Sequence, residues 1–355
     1  MLAAAAKLRA AGTARVYILH GTFAGTDASG LGTEIGRRFP ELRDGLARLT
    51  KRLVDAVMRD NGNYTPAFAQ QLAEALRATG REGVPVTLFP WTGENHHLGR
   101  AHAAVRLVEE LTQAEVAPGG RVLLWGHSHG GNVAALATHL LAGPREAVSA
   151  FFDAARCYYR SPWTGRADLA VWNKVEQLLR DGPRPAIRYP LDVATFGTPL
   201  RYAWCEAGCE TLAHFVNHRV LAGLPPHRTT APRGAVELLQ ASAGDYVQQL
   251  GIAGSNTPPA VWMWRAWLAD RRLNALLQPR EYGAATLWSR INSGIRTAES
   301  GRTLLVDYGP PRGGIEEHLA GHAVYTQAAW LPFHVEQCAI EQAAQRRRPG
   351  KDDEV

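Results

Sequence analysis

Short apolar runs alternate along the chain with longer segments of helical periodicity. Six runs rich in β-branched and aliphatic residues, most of them ending at a Gly or Pro turn, are predicted as strands: 15–21, 84–91, 121–126, 191–199, 213–220 and 302–309. Apolar positions recur at helical spacing over residues 41–60, 65–79, 98–114 and 130–142. Nearly continuous apolar runs suit strands that are buried on both faces. The alternation therefore predicts an α/β fold with a mostly parallel, doubly wound sheet.

Two long segments interrupt this alternation and are rich in aromatic residues. They cover about residues 148–188 and 258–300, and both are too long for simple crossovers. We predict that they are helical cap insertions in a single domain that spans residues 1–355. Most of their aromatic side chains are expected to fill the cores of the insertions, and the alternative is that some line an apolar acyl pocket. These residues are Phe151, Phe152, Tyr158, Tyr159, Trp163, Trp172, Trp262, Trp264, Trp267 and Trp288.

Composition and charge narrow the classes of protein that fit. The chain has 355 residues, 46% of them hydrophobic, which is enough for a sizeable core. Its net charge is only +6, and no basic stripe is interleaved with aromatic residues, so a nucleic-acid partner is not expected. No apolar run approaches the roughly 20 residues of a membrane span. No export signal is visible, which favours a cytoplasmic location, with secretion left open if a leader was removed.

Cysteine and histidine spacing gives only weak metal signals. Four cysteines in so long a chain do not make a disulfide scaffold, although Cys205 and Cys209 could pair locally. Their spacing is also a zinc signal, but a weak one, because no second pair of ligands follows in the sequence. His96, His97 and His102 could bind a metal, but no carboxylate pattern completes the site. We therefore expect packed or solvated histidines and no metal.

The sequence GHSHG, residues 126–130, joins the third predicted strand to the helix that follows it. G-x-S-x-G between a strand and a helix is the signature of a nucleophile elbow. Such a sharp turn strains the backbone of Ser128, and side chains at Gly126 or Gly130 would collide with the neighbouring strand and helix. The turn exposes the Ser128 hydroxyl above the sheet. The N–H of His129, at the helix N-terminus, could stabilise an oxyanion.

A second turn with related chemistry follows the first predicted strand. The sequence LHGTFAG, residues 19–25, contains a His-Gly turn at the point where a second oxyanion donor is expected. Gly21 allows the backbone to approach closely, and the donor would be the N–H of Thr22 or Phe23. The alternative is an ordinary glycine turn.

With these motifs, the chain resembles the α/β-hydrolase superfamily, and within it the bacterial lipases and esterases. The matching segments are HGTFAG (20–25), WTGENHHLGRAH (91–102), GHSHGG (126–131), FGTPLRY (196–202) and GHAVYT (321–326). The resemblance covers about residues 15–340, and the elbow is its most specific motif. It implies an α/β-hydrolase fold, a serine nucleophile, hydrolysis of carboxylic esters, no cofactor, and a triad in the order Ser, acid, His.

The resemblance also indicates where the base and the acid lie. The base belongs after the last sheet strand, where His322 sits in a glycine-flanked loop and His318 is the alternative. The acid belongs in a loop after the fifth strand, which matches Asp245, and Asp307 at the end of the last strand is the alternative. Outside catalysis, Asp245 could be a helix N-cap and Asp307 a turn residue.

The sequence thus predicts an esterase or lipase that works through an acyl-enzyme. Ser128 attacks the ester carbonyl, His322 takes its proton, and Asp245 orients His322. The expected partner is a small ester with an apolar acyl group. Thioester or amide hydrolysis on the same triad, and a non-catalytic lipid-binding protein of this fold, remain alternatives.

Overall fold

The computed structural model describes residues 1–22, 62–80, 83–161, 163–199, 201–253, 256–277, 289, 292–311 and 313–346. Its strands are β1 (Thr13–Leu19), β2 (Val86–Phe89), β3 (Arg121–His127), β4 (Leu191–Phe196), β5 (Thr211–Asn217) and β6 (Arg302–Val306). Its α-helices are α1 (Leu2–Ala10), α2 (Pro66–Arg77), α3 (His97–Gln113), α4 (His129–Ala142), α5 (Arg145–Tyr159), α6 (Ala170–Asp181), α7 (Ala235–Leu239), α8 (Tyr246–Ala253), α9 (Trp264–Leu277), α10 (Ile315–His318) and α11 (Leu331–Arg346). None of these described helices has both the length and the apolar character needed to cross a bilayer. The helix predicted at 41–60 lies outside the described residues.

All six strands run parallel in one sheet of order β2-β1-β3-β4-β5-β6. Each predicted strand is present, and its ends differ from the prediction by at most three residues. From β1 the next strand, β2, is added at one edge of the sheet. From β3 the strands β4, β5 and β6 are added toward the opposite edge. The order therefore reverses between β1 and β3, and crevices at such reversals are where open α/β sheets bind ligands.

Alternate residues of each central strand pack against opposite helical layers. Val122 and Leu124 of β3 belong to an apolar core shared with α3, α4, α5 and α6. Leu123 and Trp125 belong to a second core shared with α1, α2 and α11. Because both faces of the strand are covered, its sequence is apolar throughout, as expected for a parallel sheet.

The two interrupting segments contain helices, with α5 and α6 in the first and α9 in the second, joined by described turns and loops. Trp172 of α6 is buried and stacks on Phe151 of α5, with ring centroids 5.9 Å apart. Aromatic side chains therefore fill the core of the first insertion. Trp163, between the two helices, is 89% exposed, and Trp288 lies outside the described residues.

The four cysteines, Cys157, Cys205, Cys209 and Cys338, are free thiols. Cys205 and Cys209 therefore do not form the local disulfide that their spacing allowed. Burial raises the pKa of the Cys209 thiol to about 12, so this side chain is protonated and unreactive at neutral pH.

Five buried histidines make the stability of the protein depend on pH. Burial lowers the pKa of His97 to about 2, of His334 to about 3 and of His214 to about 4. Burial also lowers the pKa values of His127 and His129 well below the usual 6.5. These rings stay neutral in the folded protein, whereas the unfolded chain takes up protons near pH 6.5. The stability that they contribute is therefore complete above pH 6.5 and is lost as the pH falls below it.

The free energy of unfolding, measured in urea, is accordingly expected to fall between about pH 7.5 and about pH 5.5. Each histidine can lower the free energy of unfolding by at most about 1.4 kcal/mol per pH unit. The variant His334→Gln removes one titrating ring and should make this dependence shallower by close to one proton. A free energy that stays level or rises on acidification contradicts the prediction.

Candidate active site

Ser128 occupies the turn between β3 and α4 in a conformation that is rare for a side-chain-bearing residue. Its backbone angles are φ 51° and ψ −129°. The Ser128 N–H donates to the carbonyl of Phe196 at 2.9 Å, and its carbonyl accepts from Thr198 Oγ1 at 2.9 Å and from Gly131 N at 3.1 Å. These contacts with the end of β4 and the following loop hold the strained conformation in place.

The two elbow glycines are required by close backbone contacts. A Cβ atom at Gly126 would lie 2.8 Å from the nitrogen of Gly131 in α4. A Cβ atom at Gly130 would lie 2.5 Å from the carbonyl oxygen of Leu19 in β1. Both distances are too short for carbon, so the turn brings β3, α4 and β1 together only when these positions carry no side chain.

Substitution of Gly130 by alanine is expected to destabilise the fold by about 2–3 kcal/mol, because the new methyl group would have to displace the backbone of β1. Urea unfolding at neutral pH measures this loss. Gly234→Ala is the matched control, since no atom lies within 4 Å of a Cβ there, and it should cost less than about 1 kcal/mol. Equal losses in the two variants would show that the Gly130 contact does not matter.

The turn after β1 lies directly against Ser128. A Cβ atom at Gly21 would lie 2.9 Å from the Cβ of Ser128 and 3.5 Å from its Oγ. His129 is the first residue of α4, so its N–H is among the groups that a helix leaves without an intrahelical acceptor. Thr22 is described beside Gly21, but Phe23 lies outside the described residues. The assignment of an oxyanion donor to Thr22 or Phe23 stays a prediction.

His322 and Asp245 are in direct contact although 77 residues separate them. The ring Nδ1 of His322 lies 2.7 Å from Oδ2 of Asp245, and both side chains are buried. Tyr325 donates its hydroxyl to the same oxygen at 3.0 Å. The carboxylate therefore fixes the orientation of the imidazole in a region shielded from water.

Asp245 also caps a helix, as its alternative interpretation predicts. Its Oδ1 accepts from the backbone N–H of Gln248 at 2.8 Å, in the first turn of α8. The two carboxylate oxygens thus have separate tasks. One anchors the acid to the start of α8, and the other meets His322.

The loop that carries His322 packs on the elbow. His127, which precedes Ser128, lies against His322 with ring centroids 4.6 Å apart, and its Nε2 is 3.3 Å from the His322 carbonyl oxygen. Burial lowers the pKa of His127 well below its usual value, so this ring is neutral. Nε2 of His322 is buried and has no hydrogen-bond partner among the described residues. The nitrogen opposite Asp245 is therefore unpaired in the described structure, which brings His322 to Asp245 but shows no hydrogen bond from Ser128 Oγ to His322.

The alternative acid and base have different surroundings. Asp307 has a side chain that is 54% exposed, and it accepts from Arg219 Nε at 3.4 Å and from the N–H of Gly309 at 2.9 Å. His318 is buried, but its ring bonds to no carboxylate in the described part of the chain. The structure thus brings Asp245 to His322 and places Asp307 on the surface.

The three histidines near the start of α3 have separate partners. His96 caps the N-terminus of α3, whereas His97 Nδ1 lies 2.9 Å from the hydroxyl of Tyr202. His102 Nδ1 accepts from Trp172 Nε1 at 2.8 Å. In the described ranges, no group of three or more His, Cys, Asp or Glu side chains is placed to hold a metal ion.

Tyr325 is a site residue that the sequence analysis did not identify. Its hydroxyl accepts from the N–H of Asn217 at 2.6 Å while it donates to Asp245. Burial and the nearby carboxylate raise the pKa of Tyr325 well above its usual value of 10, so the phenol remains a donor. Asn217 Nδ2 also donates to the carbonyl of Gly321, next to His322, at 2.9 Å. The available signal was the position of Tyr325 within GHAVYT, three residues after the predicted base.

Comparison of the chain with protein-family models, with curated proteins and with solved structures gave no match. The functional interpretation therefore depends on the motifs of the sequence and on the geometry of this site.

Proposed function

We propose that the chain is a serine hydrolase with the α/β-hydrolase fold, and that it cleaves carboxylic esters. The observation that carries the proposal is the backbone of Ser128, which has φ 51° at the turn from β3 to α4. Strain of this kind persists only where surrounding structure enforces it, and it concentrates at functional sites. A nucleophilic serine on a strained strand-to-helix turn is the defining element of such hydrolases.

The position of this turn in the sheet supports the same proposal. Ser128 and Gly21 follow β3 and β1, the two strands between which the sheet order reverses. The side chains that would act as acid and base also follow parallel strands, so their loops converge on the same carboxyl edge. Four distant segments of the chain thus supply the groups that acyl transfer requires.

In the proposed reaction, Oγ of Ser128 attacks the ester carbonyl and its proton passes to Nε2 of His322. The Asp245 carboxylate stabilises the imidazolium that forms, through the 2.7 Å contact with Nδ1. The tetrahedral intermediate then expels the alcohol, which takes the proton from His322, and an acyl-Ser128 ester remains. Water, deprotonated by His322, cleaves this ester, releases the carboxylic acid and returns the proton to Ser128.

The proposed substrate is a small ester with an apolar acyl group. The buried aromatic residues of the first insertion pack on one another and Trp163 is exposed, so these residues do not by themselves define an acyl pocket. The choice among ester, thioester and amide is tested by comparing p-nitrophenyl esters of increasing chain length with matched thioesters and anilides. If the thioester or the anilide is turned over faster than the ester, that compound class replaces the ester as the proposed substrate.

Covalent labelling tests the nucleophile directly. A fluorophosphonate probe is expected to add one phosphonyl group to the wild-type protein and none to Ser128→Ala, as read by intact mass spectrometry. Peptide mapping should place the adduct on residue 128. A folded wild-type protein that resists the probe would favour the non-catalytic, lipid-binding alternative.

A further inference from the structure

Arg296 is a buried cation close to the acid of the candidate site. It precedes β6 and is 0% exposed. Its Nη1 donates to the backbone carbonyl of Asp245 at 2.6 Å and to that of Asn217 at 3.3 Å. Nε and Nη2 are buried and have no hydrogen-bond partner among the described residues. A guanidinium so incompletely paired is costly to bury, which argues that its charge has a use.

The negative charge that accompanies Arg296 is that of Asp245. The Asp245 carboxylate is itself 0% exposed. Arg296 donates to the backbone carbonyl of Asp245 and not to its carboxylate. The carboxylate oxygens are hydrogen-bonded to Gln248, Tyr325 and His322. Burial lowers the pKa of Arg296, and the attraction of Asp245 opposes this effect.

Arg296 also bridges two backbone segments that are distant in sequence. Asn217 ends β5, and the chain returns to this point at Asp245. The Asp245 N–H donates to the Asn217 carbonyl at 2.9 Å. One guanidinium nitrogen spans the carbonyls of both residues. The side chain therefore fixes the position from which Asp245 reaches His322.

We propose that Arg296 is a positioning residue for the Asp245–His322 pair, and that its charge keeps this pair from retaining a proton at neutral pH. A buried carboxylate beside an imidazole favours the imidazolium, which cannot act as a base. A fixed cation behind the carboxylate opposes that preference. The inference rests on the proposed function, because it assigns His322 the role of base.

Other charged or titratable groups face the pair from the elements packed on it, and their contributions are common to all variants below. They are His20 after β1, His127 of β3, His129 of α4, His218 after β5, Tyr246 of α8, Tyr308 after β6, His318 and Tyr325 of the loop that carries His322, and, close to His129, the buried cations Arg100 of α3 and Arg201 after β4. Arg296 differs from all of them in being a buried permanent cation bonded to the Asp245 backbone.

The pH profile of kcat/KM for a p-nitrophenyl ester tests the proposal. In Arg296→Gln, the midpoint of the acid limb is expected to rise by about one pH unit, because one buried positive charge is lost. Below the wild-type midpoint, kcat/KM should then fall about ten-fold, while the alkaline plateau changes much less. Arg296→Lys keeps the charge and should leave the midpoint in place. A merely structural role predicts a lower plateau with no shift.

Arg219→Gln is the matched control for the loss of a positive charge. Arg219 is partly exposed and pairs with surface Asp307, so solvent screens its charge and the midpoint should not move. If Arg296→Gln is too unstable to purify, Arg296→Met is the second charge-free variant, since it keeps an unbranched stem without an amide. An unchanged midpoint in a folded charge-free variant overturns the proposal.

An NMR titration of the His322 ring separates this inference from the proposed function. The ring signal is assigned by its absence in His322→Gln. Its titration midpoint should rise in Arg296→Gln relative to wild type, whether or not the protein turns over an ester. A shift without turnover or phosphonate labelling would retain the electrostatic role and reject the hydrolase, whereas turnover without a shift would do the reverse.

Discussion

Ser128→Ala is expected to reduce the hydrolysis of p-nitrophenyl butyrate by about 10⁴-fold or more at neutral pH. The substitution removes the only atom that forms the acyl-enzyme in the proposed reaction, so the whole covalent route is lost. The backbone donors of the oxyanion site would remain, and they account for the residual rate that such variants retain over water. Initial rates at saturating and limiting ester concentrations measure the loss in kcat and in kcat/KM.

Ser149→Ala provides the matched control for this loss. Ser149 lies in α5, outside the elbow, and its substitution should leave the rate within about two-fold of wild type. Near-UV circular dichroism checks that Ser128→Ala keeps its fold, because alanine at a positive φ is no better suited to the turn than serine. A folded Ser128→Ala protein with wild-type turnover would refute the nucleophile assignment.

Asp245→Asn is expected to lower kcat by about 10³–10⁴-fold. Asparagine is nearly isosteric, but it carries no charge to stabilise an imidazolium, and its amide favours the wrong tautomer of His322. Its Oδ1 can still cap α8 through Gln248 N, since asparagine and aspartate are comparable N-caps. Because buried Arg296 then lacks its counter-charge, some stability should be lost as well, so near-UV circular dichroism must show a folded variant under the assay conditions.

Asp307→Asn is the matched comparison for the acid. The side chain of Asp307 is 54% exposed and pairs with Arg219, so its neutralisation should leave kcat within about two-fold of wild type. Stopped assays of both variants under identical conditions give the ratio directly. Equal losses would leave Asp245 without support as the acid, and a larger loss in Asp307→Asn would transfer the role to that residue.

The features that could be predicted from sequence are those with local physical causes. Buried parallel strands need continuous apolar runs, and each of the six was found within three residues of its ends. The elbow glycines follow from backbone crowding within a single turn, which the contacts of Gly126 and Gly130 display. A family resemblance predicts Asp245 and His322, and only the folded chain shows that they are in contact.

Other features depend on contacts between distant parts of the chain. The sheet order, which brings β1 beside β3, is not encoded by any local pattern. Tyr325 and Arg296 contact Asp245 across 80 and 51 residues, and no local sequence pattern predicts either contact. Three tryptophans also depart from the expectation that most aromatic residues of the insertions are core, since Trp163, Trp262 and Trp264 are 89%, 79% and 47% exposed.

The long span between the partners of His322 has a consequence for biosynthesis. The imidazole meets Asp245 across 77 residues and His127 across 195, so it is made well after both of these partners. Since proteins are synthesised from the N-terminus, the strand and helix that flank Ser128 can form long before His322 is added to the chain. A ribosome-bound chain that ends before residue 322 should thus carry the Ser128 turn without the imidazole proposed to deprotonate it, and hydrolysis should be detectable only in chains long enough to expose residue 322.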